Sequence, residues 1–498
     1  MKKSLLTVFL FLLSALSFAS AADKDTLVIG LAADAASLDP HDINETVSYN
    51  VAMNIFDTLL SLSQDLKIRP LLATSCVMVN DKTWELNLRR DVKFHNGEKF
   101  NALTVKSNFD RITDPKSKLR MATGGFQAFI ESVEVMSDYK VRILTKYPLP
   151  YLDGIFCHAP MIIPPKYLKD KGPSFIAGDP VGSGPYKFVR WGRDDHIVLE
   201  ANETYWRGAP KIKKVIFRPV PDDSTRIAGL QTQELDIVTQ VPSTLVPLVE
   251  KKGRSFVSKV PTMFVVLLFF DNTKGGPVAD KRVRRAIAQA IDIDSIIEKV
   301  ISGYGVKLGL PFPSSHFGYD PEVKPHPYDP AEARKLLTEA GYPDGFDFTL
   351  HTPSMRKEIA EAVVGYLRKV GIRASVRVHE FGTFMTKWYA HDLAPAFLAR
   401  FGEISYDGGA ALFRILRSGS LFCVFHDQKM DKLIDEGRFT VDRQKRLKIY
   451  SGLAKLIKEE VPFAFSYQSF SLYGVNERVN WQGRPDEQIH VFDMSFKK

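Results

Sequence analysis

The chain contains little cysteine: only Cys76, Cys157 and Cys423 occur among its 498 residues. No C-x-x-C pair is present, which argues against a redox enzyme or a zinc knuckle. Three cysteines permit one disulfide and one odd thiol, and the sequence does not choose the pair. The composition, 45% hydrophobic and 25% charged, further excludes collagen, coiled coils, disulfide-dense small proteins and wholesale disorder. The length suggests about three domains.

Long hydrophobic runs are missing beyond the first 22 residues. No later segment reaches the roughly 18 consecutive apolar residues of a membrane-spanning helix. The first 22 residues contain Lys2 and Lys3, an apolar stretch from Leu5 to Phe18, and the A-x-A motif Ala19-Ser20-Ala21. We therefore expect a cleavable signal peptide over residues 1–21, no lipid anchor, and a soluble periplasmic protein after cleavage.

Motifs of the common exported hydrolases are also absent. The sequence has no G-x-S-x-G elbow and no H-E-x-x-H helix, and His379-Glu380 lacks the second histidine four residues on. Gly182-Ser183-Gly184-Pro185 has neither the spacing nor the lysine of a phosphate-binding loop. The eleven histidines are scattered singly. We therefore expect neither an enzyme nor a metal site, and no cofactor.

Acidic residues are fewer than basic ones. The 67 Lys and Arg against 58 Asp and Glu give a formal charge of +9, and removal of Lys2 and Lys3 leaves +7. The densest basic segment, 281–285, keeps the apolar spacing of a core-facing helix, so we interpret it as a solvated helix face. No aromatic residues interleave with it, which argues against nucleic acid as a partner. The remaining surplus slightly favours a ligand with an acidic end.

Apolar periodicity alternates between the patterns of strands and helices, which predicts a mixed α/β fold. In chain order the predicted elements are a strand over 26–31, a helix over 49–60, a hairpin turning at Asn96-Gly97, a hairpin turning at Ser137-Asp138, a β-α-β unit with a helix over 223–231, one helix over 283–297, a helix capped by Asp329-Pro330 and closed by Gly341, a helix over 359–370, and a strand over 372–378. No internal repeat interrupts this order.

Five segments, in the same order along the chain, resemble a known protein family. They are LVIGLAADAASLDPHD, WELNLRRDVKFHNGEKFNALTVKSNFDRI, GDPVGSGPYKFVRW, YWRGAPKIKKVIFRPVPDDSTRIAGLQTQELDI and PVADKRVRRAIAQAIDIDSII. Each is similar to a stretch of the family-5 extracellular solute-binding proteins of bacterial ABC importers, which include dipeptide, oligopeptide and nickel binders. The resemblance is collinear from about Thr26 to the C-terminus.

The resemblance implies the two-lobed, type II periplasmic binding protein fold, with an extra domain on the first lobe. It places lobe I in residues 22–60, 180–268 and 472–498, the extra domain in 61–179, and lobe II in 269–471. A ligand would lie in the cleft between the lobes and be buried by hinge closure. The closed form, a monomer, would then dock on the permease subunits at the inner membrane.

The resemblance also suggests ligand-binding residues. In peptide-binding members an acidic side chain of lobe II receives the α-ammonium group, and a nearby arginine receives the carboxylate. The equivalent segment here, 400–409, departs from the usual aromatic-x-Gly-Asp-x-x-Asp-Pro pattern, and its only acids are Glu403 and Asp407. Arg356 is the candidate for the carboxylate, since a guanidinium offers a bidentate fork. The remaining candidates are Tyr49, Trp388, Phe401, Ser405 and Tyr406, while Met263 and Phe264 suit either a cleft wall or a core strand.

Three hypotheses about function follow. The leading one is a periplasmic receptor for a short peptide or peptide-like solute. The departure over 403–409 and the positive charge keep open a receptor of the same fold for an opine, a sugar phosphate or an oligosaccharide. A nickel chelate is less favoured because no histidine cluster is present. The hypothesis from another class is an exported hydrolase or chaperone-like factor, against which the missing catalytic motifs argue.

Overall fold

The computed structural model describes residues 25–497 except 44, 122–124 and 252. The predicted signal peptide over residues 1–21 lies outside the described residues. Among the residues described, no helix combines the length and apolar character needed to cross a membrane. The three cysteines are free thiols; Cys157 is buried in the core of the extra domain, and Cys423 is also buried.

The first part of the chain forms β1 (Thr26–Leu31), α1 (Thr46–Ile55), β2 (Leu60–Leu62), β3 (Ile68–Pro70), β4 (Ala73–Asn80), β5 (Thr83–Leu88), α2 (Ala102–Thr113), α3 (Gln127–Phe129), β6 (Ile130–Ser137), β7 (Lys140–Thr145), α4 (Leu152–Phe156), α5 (Pro165–Lys171) and α6 (Pro173–Ile176). There follow β8 (Tyr186–Gly192), β9 (His196–Ala201), β10 (Lys214–Pro219), α7 (Asp223–Gln231), β11 (Ile237–Val238), α8 (Val246–Glu250) and β12 (Ser255–Phe270).

The second half forms α9 (Lys281–Ala290), α10 (Ile293–Lys299), β13 (Gly305–Lys307), α11 (Pro330–Glu339), β14 (Asp347–Pro353), α12 (Lys357–Lys369), β15 (Arg373–His379), α13 (Phe381–Tyr389), β16 (Ala396–Gly402), α14 (Gly408–Leu416), α15 (Gln428–Phe439), α16 (Arg443–Glu460), β17 (Phe463–Asn476), β18 (Val479–Asn480) and β19 (Ser495–Phe496). We call the region of β1, β8–β11 and α1 lobe I, the region of β4–β7 and α2–α4 the extra domain, and the region of α9–α16 with β13–β16 lobe II.

The lobe I sheet is built around β1. Strand β1 pairs in parallel with β10 on one side and with β11 on the other; β9 pairs antiparallel with β10, and β8 pairs antiparallel with β9 at the edge of the sheet. The predicted β-α-β unit is therefore confirmed as β10-α7-β11, with its two strands flanking β1. The carboxylate of Asp222 accepts the Thr225 backbone N–H at 2.7 Å and starts α7 at the predicted position.

The extra domain is a four-stranded antiparallel sheet in the order β4-β5-β7-β6, with α2 packed on it. The predicted hairpin at Ser137-Asp138 is confirmed, since Val135 faces Val141 across β6 and β7. Helix α2 begins with a capping box in which Asn101 and Thr104 bond each other's backbone N–H. The apolar face of these elements forms a separate hydrophobic core, so this region packs largely on itself.

Lobe II has apolar cores on both faces of its sheet, which runs β15-β14-β16-β12-β17. Strands β14, β15 and β16 are parallel, and the predicted capped helix is confirmed as α11, with Asp329 accepting the Ala331 and Glu332 backbone N–H groups. A strand that is buried on both faces has a nearly continuous apolar sequence, and β16 has such a sequence.

Two local predictions were wrong, and a third is confirmed only in part. The helix expected over 49–60 ends at Ile55, because the buried carboxylate of Asp57 accepts the hydroxyls of Ser183 and Tyr205 and holds the chain extended. The single helix expected over 283–297 is broken into α9 and α10, since Asp292 caps a new helix through the Ser295 N–H. The basic face of 281–285 is only partly solvated.

Arg284 is the residue of the basic face 281–285 that is buried. It is 2% exposed, and its guanidinium donates to the carbonyls of Glu460 and Val461 at the end of α16 and to those of Val278 and Ala279. Neighbouring Lys281 does lie in solvent. Arg284 therefore satisfies carbonyl groups that a helix end leaves unpaired.

Two long strands cross between the lobes. The first half of β12, Ser255–Pro261, pairs with β17 in lobe I, and its second half pairs with β17 and β16 in lobe II. The register shifts between Pro261 and Val265. At this shift the Thr262 hydroxyl donates to the Ser469 carbonyl at 2.9 Å, and the Gln468 amide donates to the Thr262 carbonyl at 2.6 Å. An irregularity of this kind bends a strand pair, so the shift marks the hinge between the lobes.

Candidate ligand-binding cleft

The cleft between the lobes is closed on one side by contacts between the extra domain and lobe II. The ring of His158, just after α4, stacks on Tyr406 with centroids 6.1 Å apart. The Tyr147 hydroxyl accepts from Arg438 of α15 at 2.5 Å. A Cβ atom placed on Gly154 would lie 2.4 Å from the carbonyl oxygen of Ser405. The backbone of α4 therefore approaches lobe II as closely as glycine alone allows.

Arg356 lies at the carboxyl end of β14, in the short turn Ser354–Arg356 that precedes α12. It is partly buried, and we find no hydrogen bond or ion pair to its guanidinium among the residues described. Burial, together with the charge of Arg400, lowers its pKa to about 10, while Tyr467 and Glu487 oppose the shift. Arg356 thus remains charged at neutral pH, beside a second cation.

Arg400, at the end of β16, contributes that second cation. Its guanidinium lies over the Phe264 ring, with 3.9 Å from Cζ to the centroid, and forms an ion pair with Glu487. Glu487 also accepts the hydroxyl of Ser471 on β17. The side chain of Arg400 is still 28% exposed, although Glu487 is only 9% exposed. Phe264, for which the sequence left two roles open, therefore supports Arg400 at the hinge.

The segment 403–407 connects β16 to α14 and carries four of the predicted residues. Glu403 is 6% exposed; its Oε1 accepts the Ser405 backbone N–H at 3.0 Å, and its Oε2 lies 3.4 Å from Arg414. Nε2 of His316 bonds to the Glu403 carbonyl at 3.1 Å. Tyr406 has a left-handed backbone, with φ of 57°. The segment is therefore held tightly by bonds from within lobe II.

Asp407 uses both of its carboxylate oxygens inside lobe II. Oδ1 accepts the Gly409 and Ala410 backbone N–H groups and caps α14, while Oδ2 pairs with Arg446 at 2.7 Å. Both partners are almost fully buried. Burial raises the pKa of Asp407, and Arg446 with the two backbone bonds opposes that rise. Both oxygens of Asp407 are thus bonded within lobe II.

The structure does not bring the other predicted residues to Arg356. Phe401 and Trp388 lie in a core of lobe II, 5% and 2% exposed, and the Trp388 indole donates to the Phe422 carbonyl at 3.2 Å. Tyr49 packs against the core of lobe I, where burial raises the pKa of its hydroxyl to about 12. Of the predicted set, Arg356 lies by Arg400, and Glu403, Ser405, Tyr406 and Asp407 form one segment.

Arg400, Glu487 and His158 belong to this cleft but were not among the sequence candidates. One signal was available for Arg400. The strand Ala396–Gly402 is otherwise apolar on both faces. A single arginine near the end of such a strand indicates a position outside the core, because charged side chains are rarely fully buried. No local pattern identifies Glu487 or His158, because each reaches the cleft only through the fold.

A cavity of about 520 Å³ lies elsewhere, and its lining comes from lobe I and the extra domain, with Trp206, Arg207 and Arg484 among its walls. No lobe II residue lines it, so closure of the lobes does not form it. Within the part of the chain that the structure describes, no group of three or more His, Cys, Asp or Glu side chains is arranged to hold a metal ion.

The sequence matches the family described as bacterial extracellular solute-binding proteins, family 5 middle, over residues 67–420. Proteins of this family bind solutes and work with the permeases of ABC importers. The chain is 34% identical to the glutathione-binding protein GsiB of Pectobacterium atrosepticum over 367 residues, which cover 72% of this chain and 70% of that protein.

Solved structures agree with this match. The periplasmic binding protein DppA of Helicobacter pylori, in complex with the peptide STSA, has a TM-score of 0.81 and 26% identity and covers 95% of this chain and 98% of its own. AgaA of A. tumefaciens, in complex with agropinic acid, has a TM-score of 0.80 and 26% identity over 95% of this chain and 99% of its own. The sequence match and the two-lobed fold with a cleft between the lobes lead to the same conclusion. The chain belongs to the family-5 extracellular solute-binding proteins of bacterial ABC importers.

Proposed function

We propose that this protein captures a short peptide or peptide-like solute with free carboxylates in the cleft and delivers it, chemically unchanged, to an ABC permease. The observation that carries the proposal is the guanidinium of Arg356, which is partly buried, has no partner that we find among the described residues, and lies near Arg400. A desolvated cation without a partner costs free energy unless a ligand pairs with it. A carboxylate supplies that partner through two parallel hydrogen bonds.

Glutathione is the first solute to test. It carries two carboxylates and one ammonium group, so its net charge is negative at neutral pH. Two adjacent guanidiniums, of which Glu487 neutralises only one, suit that charge. Relatives of this chain are named as glutathione-binding proteins, which supports the same choice.

Closure at the hinge would couple binding to delivery. A ligand that contacts both lobes favours the closed form by its differential affinity, and the permease then recognises that form. We further propose that the protein acts in the periplasm as a monomer after loss of residues 1–21, with the domain limits that the sequence predicts.

An opine is the second candidate. Both acids of the segment 403–407 are already engaged, Glu403 near Arg414 and Asp407 with Arg446. No carboxylate of this segment is therefore left free for an α-ammonium group, which favours a ligand that is recognised mainly through its acidic end. AgaA, solved with agropinic acid, has a similar fold.

Isothermal titration of the mature protein with glutathione, unmodified di- and tripeptides, and agropinic acid tests the proposal. We expect glutathione or a peptide to bind, and Arg356→Gln to weaken that binding by about 10- to 100-fold, as for loss of a charged hydrogen bond of about 1.5–3 kcal/mol. Arg373→Gln is the matched control, because Arg373 pairs with Asp347 on an exposed edge of lobe II. Binding of agropinic acid alone, or equal affinities for the two variants, would refute the peptide proposal.

A further inference from the structure

A chain of hydrogen bonds fixes the orientation of His158. Nε2 of His490 bonds to Oε1 of Gln488 at 3.0 Å, and the Gln488 amide nitrogen bonds to Nδ1 of His158 at 2.7 Å. An amide nitrogen only donates, so Nδ1 must accept. A neutral imidazole that accepts at Nδ1 carries its hydrogen on Nε2.

The His158 imidazole is uncharged at neutral pH. The residue is 2% exposed, and burial lowers its pKa to about 4. The charge of Arg484 also lowers the pKa, whereas the charges of Asp486 and Glu403 raise it. Its Nε2–H is therefore a fixed donor. Among the residues described, Nε2 has no hydrogen-bond partner although it is buried.

Two further buried polar atoms without a partner belong to the segment of lobe II that faces His158. They are the hydroxyl of Tyr406, whose ring stacks on His158 across the cleft, and the hydroxyl of Ser405. Ten buried side-chain polar atoms lack a partner among the described residues, and three of them belong to residues at or next to this one contact between the extra domain and lobe II. The ring of His316 also contacts that of Tyr406, with ring centroids 5.6 Å apart.

The charge around these atoms selects the kind of group they would bind. The two acids that act on His158 are each near an arginine: Asp486 pairs with Arg484 at 2.6 Å, and Glu403 lies 3.4 Å from Arg414. The surroundings are thus close to neutral, unlike those of Arg356. One fixed N–H donor with two hydroxyls, which donate or accept, matches a neutral amide, whose C=O accepts and whose N–H donates.

We propose that His158, Ser405 and Tyr406 form a subsite for an amide group of the ligand, with the Nε2–H of His158 donating to the amide carbonyl and a hydroxyl accepting the amide N–H. Gln488 is a positioning residue that fixes the tautomer of His158. The subsite rests on the proposed function, because it requires a ligand with a peptide bond, and it lies on a different part of the cleft from the arginines.

Titration of three variants with glutathione tests the subsite. His158→Asn keeps an acceptor for Gln488 but removes the donor at the position of Nε2, and we expect the affinity to fall by about tenfold. His158→Gln places an amide nitrogen near that position, and we expect the affinity to stay within about threefold of the wild type. Tyr406→Phe, which removes only a hydroxyl, should also weaken binding. Thermal unfolding of each ligand-free variant confirms that it folds.

Nitrogen NMR of histidine in the ligand-free protein adds a readout that needs no ligand: we expect the Nε2–H tautomer for His158, and the Nδ1–H tautomer would overturn the subsite. If the wild type binds glutathione and His158→Asn binds it equally well, the subsite fails while the proposed function stands. If no peptide binds the wild type, both fail together.

Discussion

The segment from Arg400 to Asp407 has an arginine–acid pair at each of its ends, and the two pairs differ in how far they are satisfied. At the far end, Asp407 and Arg446 have side chains 4% and 5% exposed, and both oxygens of Asp407 are bonded within the protein. At the near end, the Arg400 side chain is 28% exposed, and Arg356 beside it has no partner that we find among the described residues. The difference separates a pair that stabilises the fold from the cations that we propose bind the ligand.

Residue type alone does not make this distinction. Both ends contain arginine and a carboxylate, and family resemblance proposed Asp407 as readily as Arg356 for contact with the ligand. We propose Arg356 rather than Asp407 as a ligand contact from the number of bonds that each group makes inside the protein, because a buried charge must be paired and a paired charge has little capacity left. The four predictions that follow test this contrast, from the largest expected effect to the smallest.

Substitution of Asp407 should have the largest effect on stability. Asp407→Ala leaves Arg446 buried without its partner and removes the cap of α14, so we expect the free energy of unfolding to fall by about 3–5 kcal/mol. Urea denaturation of the ligand-free protein measures the change. Asp347→Ala, which breaks an exposed pair with Arg373, is the control and should cost less than about 1 kcal/mol. Unchanged stability of Asp407→Ala would remove the contrast between the two ends.

The middle of the segment should respond to pH. His316 is buried and bonds to the Glu403 carbonyl; burial lowers its pKa to about 4, against the opposing effect of that bond. The unfolded chain takes up the proton near pH 6.5, so the stability due to neutral His316 is complete above pH 6.5 and is lost as the pH falls toward 4.

We therefore expect His316 to account for about 2 kcal/mol of the stability lost between pH 7 and pH 5. His316→Gln keeps a donor near the Glu403 carbonyl but does not titrate. Between pH 7 and pH 5 its free energy of unfolding should therefore fall by about 2 kcal/mol less than that of the wild type. Urea denaturation at the two pH values makes the comparison. An equal loss in both proteins would show that other groups cause it.

Local signals in the sequence were enough to predict many elements of the fold. The strand Thr26–Leu31, the helix Asp223–Gln231 and the cap at Asp329 were found because their periodicity and end residues lie within a few positions. The helix breaks at Ile55 and Asp292 were missed. The first depends on the distant residues Ser183 and Tyr205, which no local window contains.

The cleft was predicted less completely than the fold. Arg356 was proposed from its place in the family pattern, and the geometry around it supports the proposal that it binds the ligand. His158 and Glu487 were not found, since His158 meets Tyr406 and Glu487 meets Arg400 only when separate parts of the chain fold together. The sequence also does not reveal whether an acid is already paired, and that is the property on which the roles of Glu403 and Asp407 depend.

Closure over the segment should be sensitive to a single methyl group. Gly154→Ala places a Cβ atom 2.4 Å from the Ser405 carbonyl, so the lobes must separate slightly. We expect the affinity for glutathione to fall by about tenfold, or about 1.4 kcal/mol, which lies at the low end for overpacking. Gly365→Ala, in α12, is the matched control because a Cβ there meets no atom within 4 Å. Equal affinities would show that Gly154 does not limit closure.

Removal of Arg356 should have the smallest effect on stability, in contrast to the loss of ligand affinity expected for the same variant. The guanidinium makes no bond that we find within the described residues and is disfavoured by burial and by the charge of Arg400. Arg356→Gln should therefore leave the free energy of unfolding of the ligand-free protein within about 0.5 kcal/mol of the wild type, with any change toward greater stability. Since part of that gain comes from relief of repulsion, it should shrink when Arg400→Gln is already present, and urea denaturation of the four proteins of this double-mutant cycle measures the difference. A loss of stability comparable to that of Asp407→Ala would mean that Arg356 is a structural residue after all, and the two ends of the segment would then have the same role.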